Sequence, residues 1–306
     1  MGGVPFPYSC QAGNCGTCKC ELVDGDVFEL EHSEHALTAG ERARSLILAC
    51  RTQAWGDTRI RRIETEDLVL HPSRVMRCRV VAIDQLTHDI RGVRLVIEAG
   101  GPFTFSAGQY AQVEFGAGVS KHYSMASTPH EPELEFQIRH MPGGRASVHV
   151  ATQLKVGDVL KVSGPLGSSY LRDQHAGPVL LVAGGSGFAP MRSILGTLLA
   201  RGCAEKVALY FGVRSERDVY HEPLLKDLAA THPSFRYQVV LSEQLGAPGR
   251  RYGLVHEAAA ADIADFAGYK AYLAGPPVMV EAATAMLRAK GMPLRDIHAD
   301  AFYNQP

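Results

Sequence analysis

Hydrophobic and polar positions alternate in three different ways along this chain. From Arg74 to about Leu171 the apolar runs are short: RCRVVAI, IRGVRLVI, GQYAQVEF, KHYSMAS, ELEFQIRH and DVLKVSG, separated by Gly, Pro and Asp turns. Short β-branched or aromatic runs at this spacing predict strands, and six in succession predict an antiparallel β-barrel. One helical patch, 146–154, interrupts them. From about Gly177 apolar strands alternate with helical stretches: PVLLVAGG and 189–200, KVALYFGV and 222–230, YQVVLS and 254–261, KAYLAG and 278–290, and finally IHADAF. Five strands with crossover helices predict a parallel, doubly wound α/β sheet. Ahead of these, a strand-like stretch follows Cys50, then polar Glu64-Thr65-Glu66-Asp67 and His71-Pro72, which read as a linker. The pattern predicts a multidomain chain with units at 1–70, 74–172 and 173–306.

Composition changes this picture little. At about 150 residues per domain, 306 residues fit two domains or three small ones. With 31 basic against 32 acidic side chains, the net charge of -1 gives no field for nucleic acid or an anionic membrane. No apolar run approaches the roughly 18 residues of a membrane span. The start, MGGVPFPYSC, lacks a secretory signal, so the expected location is the cytoplasm. No repeat at a period of roughly 20–50 residues is evident.

The cysteines carry the first chemistry. Seven occur, and five lie within the first 50 residues. Cys10, Cys15, Cys18 and Cys50 stand as C-x4-C-x2-C, then 31 residues, then C. A 2Fe-2S cluster needs four converging thiolates, three from one wrapping loop and one from a distant segment, and this is that spacing. Gly13 and Gly16 stand between ligands, where the backbone must approach the sulfides closely. A disulfide framework does not suit a reducing cytosol, and zinc knuckles favour paired C-x2-C units, of which there is one. Cys20 reads as a buried strand residue; Cys78 and Cys203 read as small core residues.

PYSCQAGNCGTCKCELVDGDV and SLILACRTQ resemble the cluster loop and fourth-ligand strand of plant-type ferredoxin domains. The resemblance implies a small α+β ferredoxin-like unit. Such domains carry a β-hairpin and a helix before the loop, whereas nine residues precede Cys10, so the expectation is a unit shortened at its start.

Two weak motifs strengthen each other on the barrel. Lys121-His122-Tyr123-Ser124 lies on a strand, and Pro142-Gly143-Gly144-Arg145-Ala146-Ser147 opens the helical patch. Glycines and a hydroxyl ahead of unpaired helix N–H groups suit a pyrophosphate. They resemble the FAD motifs of the ferredoxin–NADP reductase superfamily, R-x-Y-S and a Gly-rich phosphate loop. The resemblance implies that Tyr123 packs on the flavin and that Ser124 hydrogen-bonds its N5. Lys121 stands where the motif has Arg, which keeps the charge, loses the bidentate fork and leaves FMN as an alternative to FAD. Arg139, in the preceding strand, is a further candidate contact, or a solvated strand charge.

Gly184-Gly185-Ser186-Gly187 follows the first parallel strand and opens a helix, where a dinucleotide pyrophosphate meets a helix N-terminus. The second strand ends at Arg214 without the usual acid. Arg214 suggests the 2′-phosphate of NADP, but Glu216 and Asp218 would repel it, and GVRS resembles NADH-using reductases; NADH is expected. Gly275-Pro276-Pro277-Val278-Met279 resembles the C-G-x-P-x-M motif beside the nicotinamide, with Ala274 in place of Cys. Asp300-Ala301-Phe302-Tyr303 resembles the C-terminal aromatic that shields the flavin, leaving Phe302 and Tyr303 as candidates.

Nicotinamide gives two electrons as hydride, a cluster accepts one at a time, and a flavin stands between them. From Pro7 to Tyr303 the chain resembles the reductase components of bacterial aromatic-ring-hydroxylating dioxygenases. That implies electrons passing from NADH through FAD and a 2Fe-2S cluster to a Rieske ferredoxin or a terminal oxygenase. The alternatives are the reductase of a multicomponent di-iron monooxygenase, a plain NADH flavin reductase or diaphorase if the first unit holds no cluster, and a first unit that serves only for docking.

Overall fold

The computed structural model describes residues 18–34, 36–63, 69–116, 118–203, 205–246 and 248–303, together with Phe6, Tyr8, Gly13 and Gly16. The polar linker stretch 64–67 and two of the candidate ligands, Cys10 and Cys15, lie outside the described residues.

The first unit contains β1 (Lys19–Asp24), β2 (Val27–Glu29), a one-turn helix α1 (Ala39–Arg42), β3 (Leu46–Leu48), β4 (Thr52–Ala54) and β5 (Arg59–Arg62). β1 sits between β3 and β5 in an antiparallel sheet, and β2 pairs with β4 in a separate ribbon. Thr38 and Glu41 form a reciprocal capping box on α1, which allows so short a helix to start. Lys19 and Glu41, both nearly buried, pair at 2.8 Å and tie β1 to α1. Cys20 on β1 is fully buried, as expected, and burial pushes its thiol up to about 11.

The second unit is a six-stranded antiparallel sheet of β6 (Arg74–Gln85), β7 (Ile90–Ala99), β8 (Tyr110–Glu114), β9 (Ser120–Ser124), β10 (Leu134–Arg139) and, after helix α2 (Arg145–Thr152), β11 (Val159–Leu166). Its order is β10-β7-β6-β11-β8-β9. The two edge strands meet through an isolated bridge between Met125 and Phe136, so the sheet curls into a barrel. Two register shifts between β6 and β7 supply the bend. Met76, Cys78 and Val80 alternate inward along β6 and join Phe105, Met125 and Phe136 in the barrel core.

The third unit is a parallel sheet in the order β15-β14-β13-β12-β16-β17. Its elements run β12 (Val179–Gly184), α3 (Phe188–Ala200), β13 (Val207–Val213), α4 (Glu222–Thr231), β14 (Phe235–Leu241), β15 (Arg251–Tyr252), α5 (Val255–Asp262), β16 (Lys270–Gly275), α6 (Pro277–Ala289) and β17 (Ile297–Ala301). The two-residue β15 is one strand more than the sequence pattern predicts. All six residues of β12 and of β16 are buried, as befits strands covered on both faces. One core packs α3 and α4 on one face; the other packs α5 and α6 on the opposite face. Cys203 departs from expectation: it is half-buried at the margin of the first core, because the turn after α3 carries it toward the surface. The chain leaves β12 toward β15 and returns to β16 on the other side of β12. This is the reversal of strand order that opens a ligand crevice at the carboxyl ends of an α/β sheet.

Candidate functional site

Glycine packing builds the crevice. A Cβ on Gly184 would sit 2.5 Å from Met279 Sδ and 2.8 Å from Pro276 Cδ, and one on Gly275 (φ +140°) would sit 2.7 Å from the Gly184 carbonyl. A Cβ on Gly187 would strike the backbone at Ala274 and Gly275. Bare backbone at Gly184, Gly187 and Gly275 therefore lets the β12 and β16 exit loops close on one another. Gly185 (φ +53°) and Ser186 complete the turn into α3, whose first turn has no side-chain cap. Such a turn is a cradle for a dinucleotide pyrophosphate.

The barrel meets this crevice directly. Ser124, at the end of β9 and 7% exposed, donates from Oγ to Asp300 Oδ2 of β17 at 3.2 Å. From α3, Arg192 Nη1 and Ser193 Oγ donate to the carbonyls of Ala126 and Ser127 (2.6 and 2.7 Å), pinning the chain just past Ser124. The Phe302 N–H donates to the Gly275 carbonyl (2.9 Å). The sequence left Phe302 and Tyr303 open, and the two separate. Phe302 packs on the core that includes the barrel's Ile90 and Ala107; Tyr303 packs on the opposite core and hydrogen-bonds Glu281 of α6 (3.0 Å).

On β9, Lys121 and Tyr123 are half-buried and His122 is exposed. The Tyr123 ring meets Phe115 edge-on at 6.0 Å, and burial pushes its phenol well above the usual range, so it stays neutral. The phosphate-loop candidates divide. Gly143 (φ +76°) is exposed with open space where a Cβ would be, and Gly144 is the N-cap of α2, which no side chain caps. Ser147 is buried, accepts from the Met141 N–H (3.0 Å) and donates to the Gly144 carbonyl (3.1 Å), which braces the loop. Arg145 is exposed at the first helical position. These backbone donors suit an anion.

Arg139 lies at the end of β10 but reaches the crevice. Its Nε donates to Asp89 Oδ2 (2.8 Å), and its Nη1 lies 3.3 Å from where a Gly185 Cβ would be. Asp89 also receives Arg214 (3.4 Å), which donates to Asp218 (2.8 Å). Burial would raise both carboxyls, but hydrogen bonds from Thr87 and Arg139 to Asp89, and from Arg214 and Ser215 to Asp218, outweigh it and hold both below the usual range. His88 completes a ring with Asp89 and Asp218 close enough for a cation, but the two guanidinium groups already supply that charge. Glu216 and Glu222 both grip Arg250. Sequence reasoning found neither this clamp nor Asp89, because their partners lie 28 to 125 residues away.

In the first unit Cys18 and Cys50 converge with their sulfurs 3.2 Å apart, beside Ala36, Leu37 and Leu48. Gly16 (φ +72°) could not carry a Cβ without pressing to 3.0 Å on the Ala36 carbonyl. Two converging thiols, an apolar wall and a glycine turn fit a thiolate-held iron–sulfur centre.

Comparison with known proteins agrees with this layout. Residues 1–54 match the 2Fe-2S iron-sulfur cluster binding domain, 77–170 the oxidoreductase FAD-binding domain, and 181–285 the oxidoreductase NAD-binding domain. The ferredoxin–NAD(P)+ reductase component of naphthalene 1,2-dioxygenase/salicylate 5-hydroxylase systems of Ralstonia sp is 44% identical over 300 residues, covering 98% of this chain and 90% of that protein. The phenol 2-monooxygenase reductase component of a Pseudomonas sp. is 36% identical over 308 residues, covering 98% and 87%. The crystal structure of an Amycolatopsis cytochrome P450 reductase superposes with a TM-score of 0.80 at 36% identity, covering 98% and 91%.

Proposed function

The chain belongs to the iron–sulfur flavoprotein reductases that serve as reductase components of aromatic-oxygenase systems, and from that premise we propose that it carries electrons from NADH to a Rieske ferredoxin or directly to a terminal ring-hydroxylating oxygenase in the cytoplasm. It is an oxidoreductase with 2Fe-2S, FAD-binding and NAD-binding domains. The proposed divisions are 1–70, 74–172 and 173–306. A bound flavin supplies the exchange of a hydride pair for single electrons, which a nicotinamide and an iron–sulfur centre cannot exchange directly.

The chain's own residues provide the rest. Lys121, His122, Tyr123 and Ser124 present β9 to the flavin; Gly143, Gly144, Arg145 and the first turn of α2 take its phosphates, with Ser147 bracing the loop. Gly184, Gly185, Ser186 and Gly187 take the dinucleotide pyrophosphate, with Arg139 and Arg214 beside them; Gly275, Pro276 and Met279 form the facing wall. Ser124 holds its hydroxyl proton toward Asp300, and Phe302 covers the barrel side of the crevice. Cys10, Cys15, Cys18 and Cys50 hold the cluster.

The observation that carries this reading is the Ser124–Asp300 bond at 3.2 Å, which brings the proposed flavin strand to the crevice. The test is chemical. Purified protein should contain two irons per flavin for one 2Fe-2S centre. Cys50→Ala should abolish NADH-driven cytochrome c reduction while sparing ferricyanide reduction. Equal loss of both would refute the order of centres, and loss of neither would leave a flavin reductase or diaphorase. A second reading, service to a di-iron monooxygenase, is favoured by the phenol 2-monooxygenase relative. Electron delivery to purified oxygenase components of each kind separates the two.

A further inference from the structure

Both ends of the iron–sulfur unit are tied to one short segment of the barrel, and a single buried guanidinium holds that segment. Tyr8 stands two residues ahead of Cys10. Its N–H donates to Ser168 Oγ (3.0 Å), and its carbonyl accepts from Ser168 Oγ (2.6 Å) and from the Ser168 N–H (3.0 Å). At the other end of the unit, the Val69 N–H donates to the Tyr170 hydroxyl (2.9 Å). Arg172, 4% exposed, donates from Nη2 to the Ser168 carbonyl and from Nη1 to the Tyr170 carbonyl, each at 3.0 Å. Its guanidinium lies 4.1 Å from the Tyr170 ring centroid, and its N–H donates to the Tyr272 hydroxyl on β16 (2.8 Å).

Among the described residues Arg172 forms no ion pair, and a buried charge without a carboxylate is costly. Its rigid fork instead satisfies two carbonyls two residues apart, a geometry that lysine cannot reproduce. The segment it fixes is continuous with the flavin strands. Gln109 Nε2 donates to the Gly167 carbonyl (3.0 Å), and a Cβ on Gly167 (φ +86°) would lie 2.5 Å from the Tyr110 ring. That ring packs 5.2 Å from His122, the neighbour of Tyr123.

We infer that Ser168, braced by Arg172, is a positioning residue that sets the gap between the flavin strand and the iron–sulfur unit. It thereby governs the step in which one electron passes from the reduced flavin, which is oxidised, to the cluster, which is reduced. The inference rests on the proposed placement of flavin and cluster. Electron tunnelling falls exponentially with separation. A unit held only by its chain connection samples many gaps, whereas one held at Tyr8 and Val69 keeps one. Ser168 hydrogen-bonds to none of the residues proposed for flavin or dinucleotide, so hydride delivery does not depend on it.

Ser168→Ala deletes both hydroxyl bonds to Tyr8 and keeps the backbone bond; Ser168→Thr keeps all three. In full-length holoprotein, iron and flavin are quantified first. Reduction of ferricyanide, which takes electrons at the flavin, is then compared with reduction of cytochrome c, through the cluster. Amide hydrogen exchange at Tyr8 is measured alongside. Ser168→Ala should keep ferricyanide reduction within about twofold, lower cytochrome c reduction by about tenfold, and speed Tyr8 exchange by about tenfold, the scale of one lost hydrogen bond. Ser168→Thr should restore all of these. Unchanged Tyr8 exchange in Ser168→Ala, or equal loss with both acceptors, overturns the inference. If the parent protein holds no iron, the functional reading fails by itself. Tyr8 exchange still decides the anchor: equal rates in parent and Ser168→Ala overturn it.

Discussion

At Gly187 local preference and tertiary packing pull in opposite directions, so replacing it with alanine tests the crevice argument. Its backbone, φ −62° and ψ −10°, is already helical. Alanine there would gain up to about 1 kcal/mol in conformational preference, by restricting the unfolded chain at a position whose dihedral angles it can adopt. The added Cβ, however, would lie 2.8 Å from Gly275 Cα and closer still to the Ala274 carbonyl, where ordinary contact begins at 3.4 Å. Those atoms belong to the end of a strand buried along its whole length, so no side chain can rotate away. Overpacking of this kind costs about 1–3 kcal/mol, toward the upper end when backbone must move. The clash wins, with a net loss of about 1–2 kcal/mol. The strain separates the β12 and β16 exit loops, where misplacement by about 1 Å can cost on the order of a hundredfold in rate. In NADH-driven ferricyanide reduction, Gly187→Ala should raise the KM for NADH by about tenfold and leave flavin content unchanged, with a lower unfolding midpoint. An unchanged KM with an unchanged or raised midpoint would refute the reasoning, since conformational preference would then have outweighed the clash.

Glu216→Gln should shift the kcat/KM ratio toward NADPH by about five- to tenfold. It removes one of the two carboxylates on Arg250, and the Glu216 side chain is 40% exposed, which keeps the effect near the surface ion-pair scale of about 1 kcal/mol; a constant ratio counts against the NADH argument. Ser124→Ala should slow flavin reduction by about tenfold, the value of one hydrogen bond, at unchanged flavin content. Loss of flavin with the rate per bound flavin retained would make Ser124 structural. Burial holds the His298 imidazole well below its usual value, helped by Arg172, Lys270 and His175. The unfolded chain therefore takes up a proton first as pH falls through about 6.5, and stability drops below that pH by about 1.4 kcal/mol per unit for this group. His298→Phe should flatten the midpoint-against-pH curve there, and an unchanged slope would assign the effect elsewhere.

The fold was legible where pattern and geometry coincide. Short β-branched or aromatic runs between turn residues marked the barrel strands, and the structure shows one face of each packed inside, as at Met76, Cys78 and Val80. Continuous apolar runs marked β12 and β16 because helices cover both faces. β15 escaped notice because a two-residue strand has no period to detect. The barrel was predicted, but the place where it closes, at Met125 and Phe136, was equally invisible, since one bridge leaves no trace in composition. At the site, glycines were readable because loop chemistry demands them, but the cause at Gly187 is its neighbour across the crevice, not its own dihedral angles.

The side chains that join the units were not legible, and the two junctions differ in kind. The barrel meets the nucleotide sheet through charges as well as neutral hydrogen bonds: Asp89 with Arg214 and Arg192 with Glu135, beside Ser193 with Ser127. The iron–sulfur unit meets the barrel through uncharged groups, Tyr8 with Ser168 and Val69 with Tyr170. Partly exposed ion pairs are screened by salt, and neutral hydrogen bonds are not. On the proposed placement of the dinucleotide, the first junction would yield as it enters, because Arg214 would exchange Asp89 for phosphate at little electrostatic cost. The second offers no such exchange, so the tie between the iron–sulfur unit and the barrel would persist through dinucleotide binding. A converter of paired into single electrons needs this division: its substrate must come and go, but its two fixed centres must not move apart.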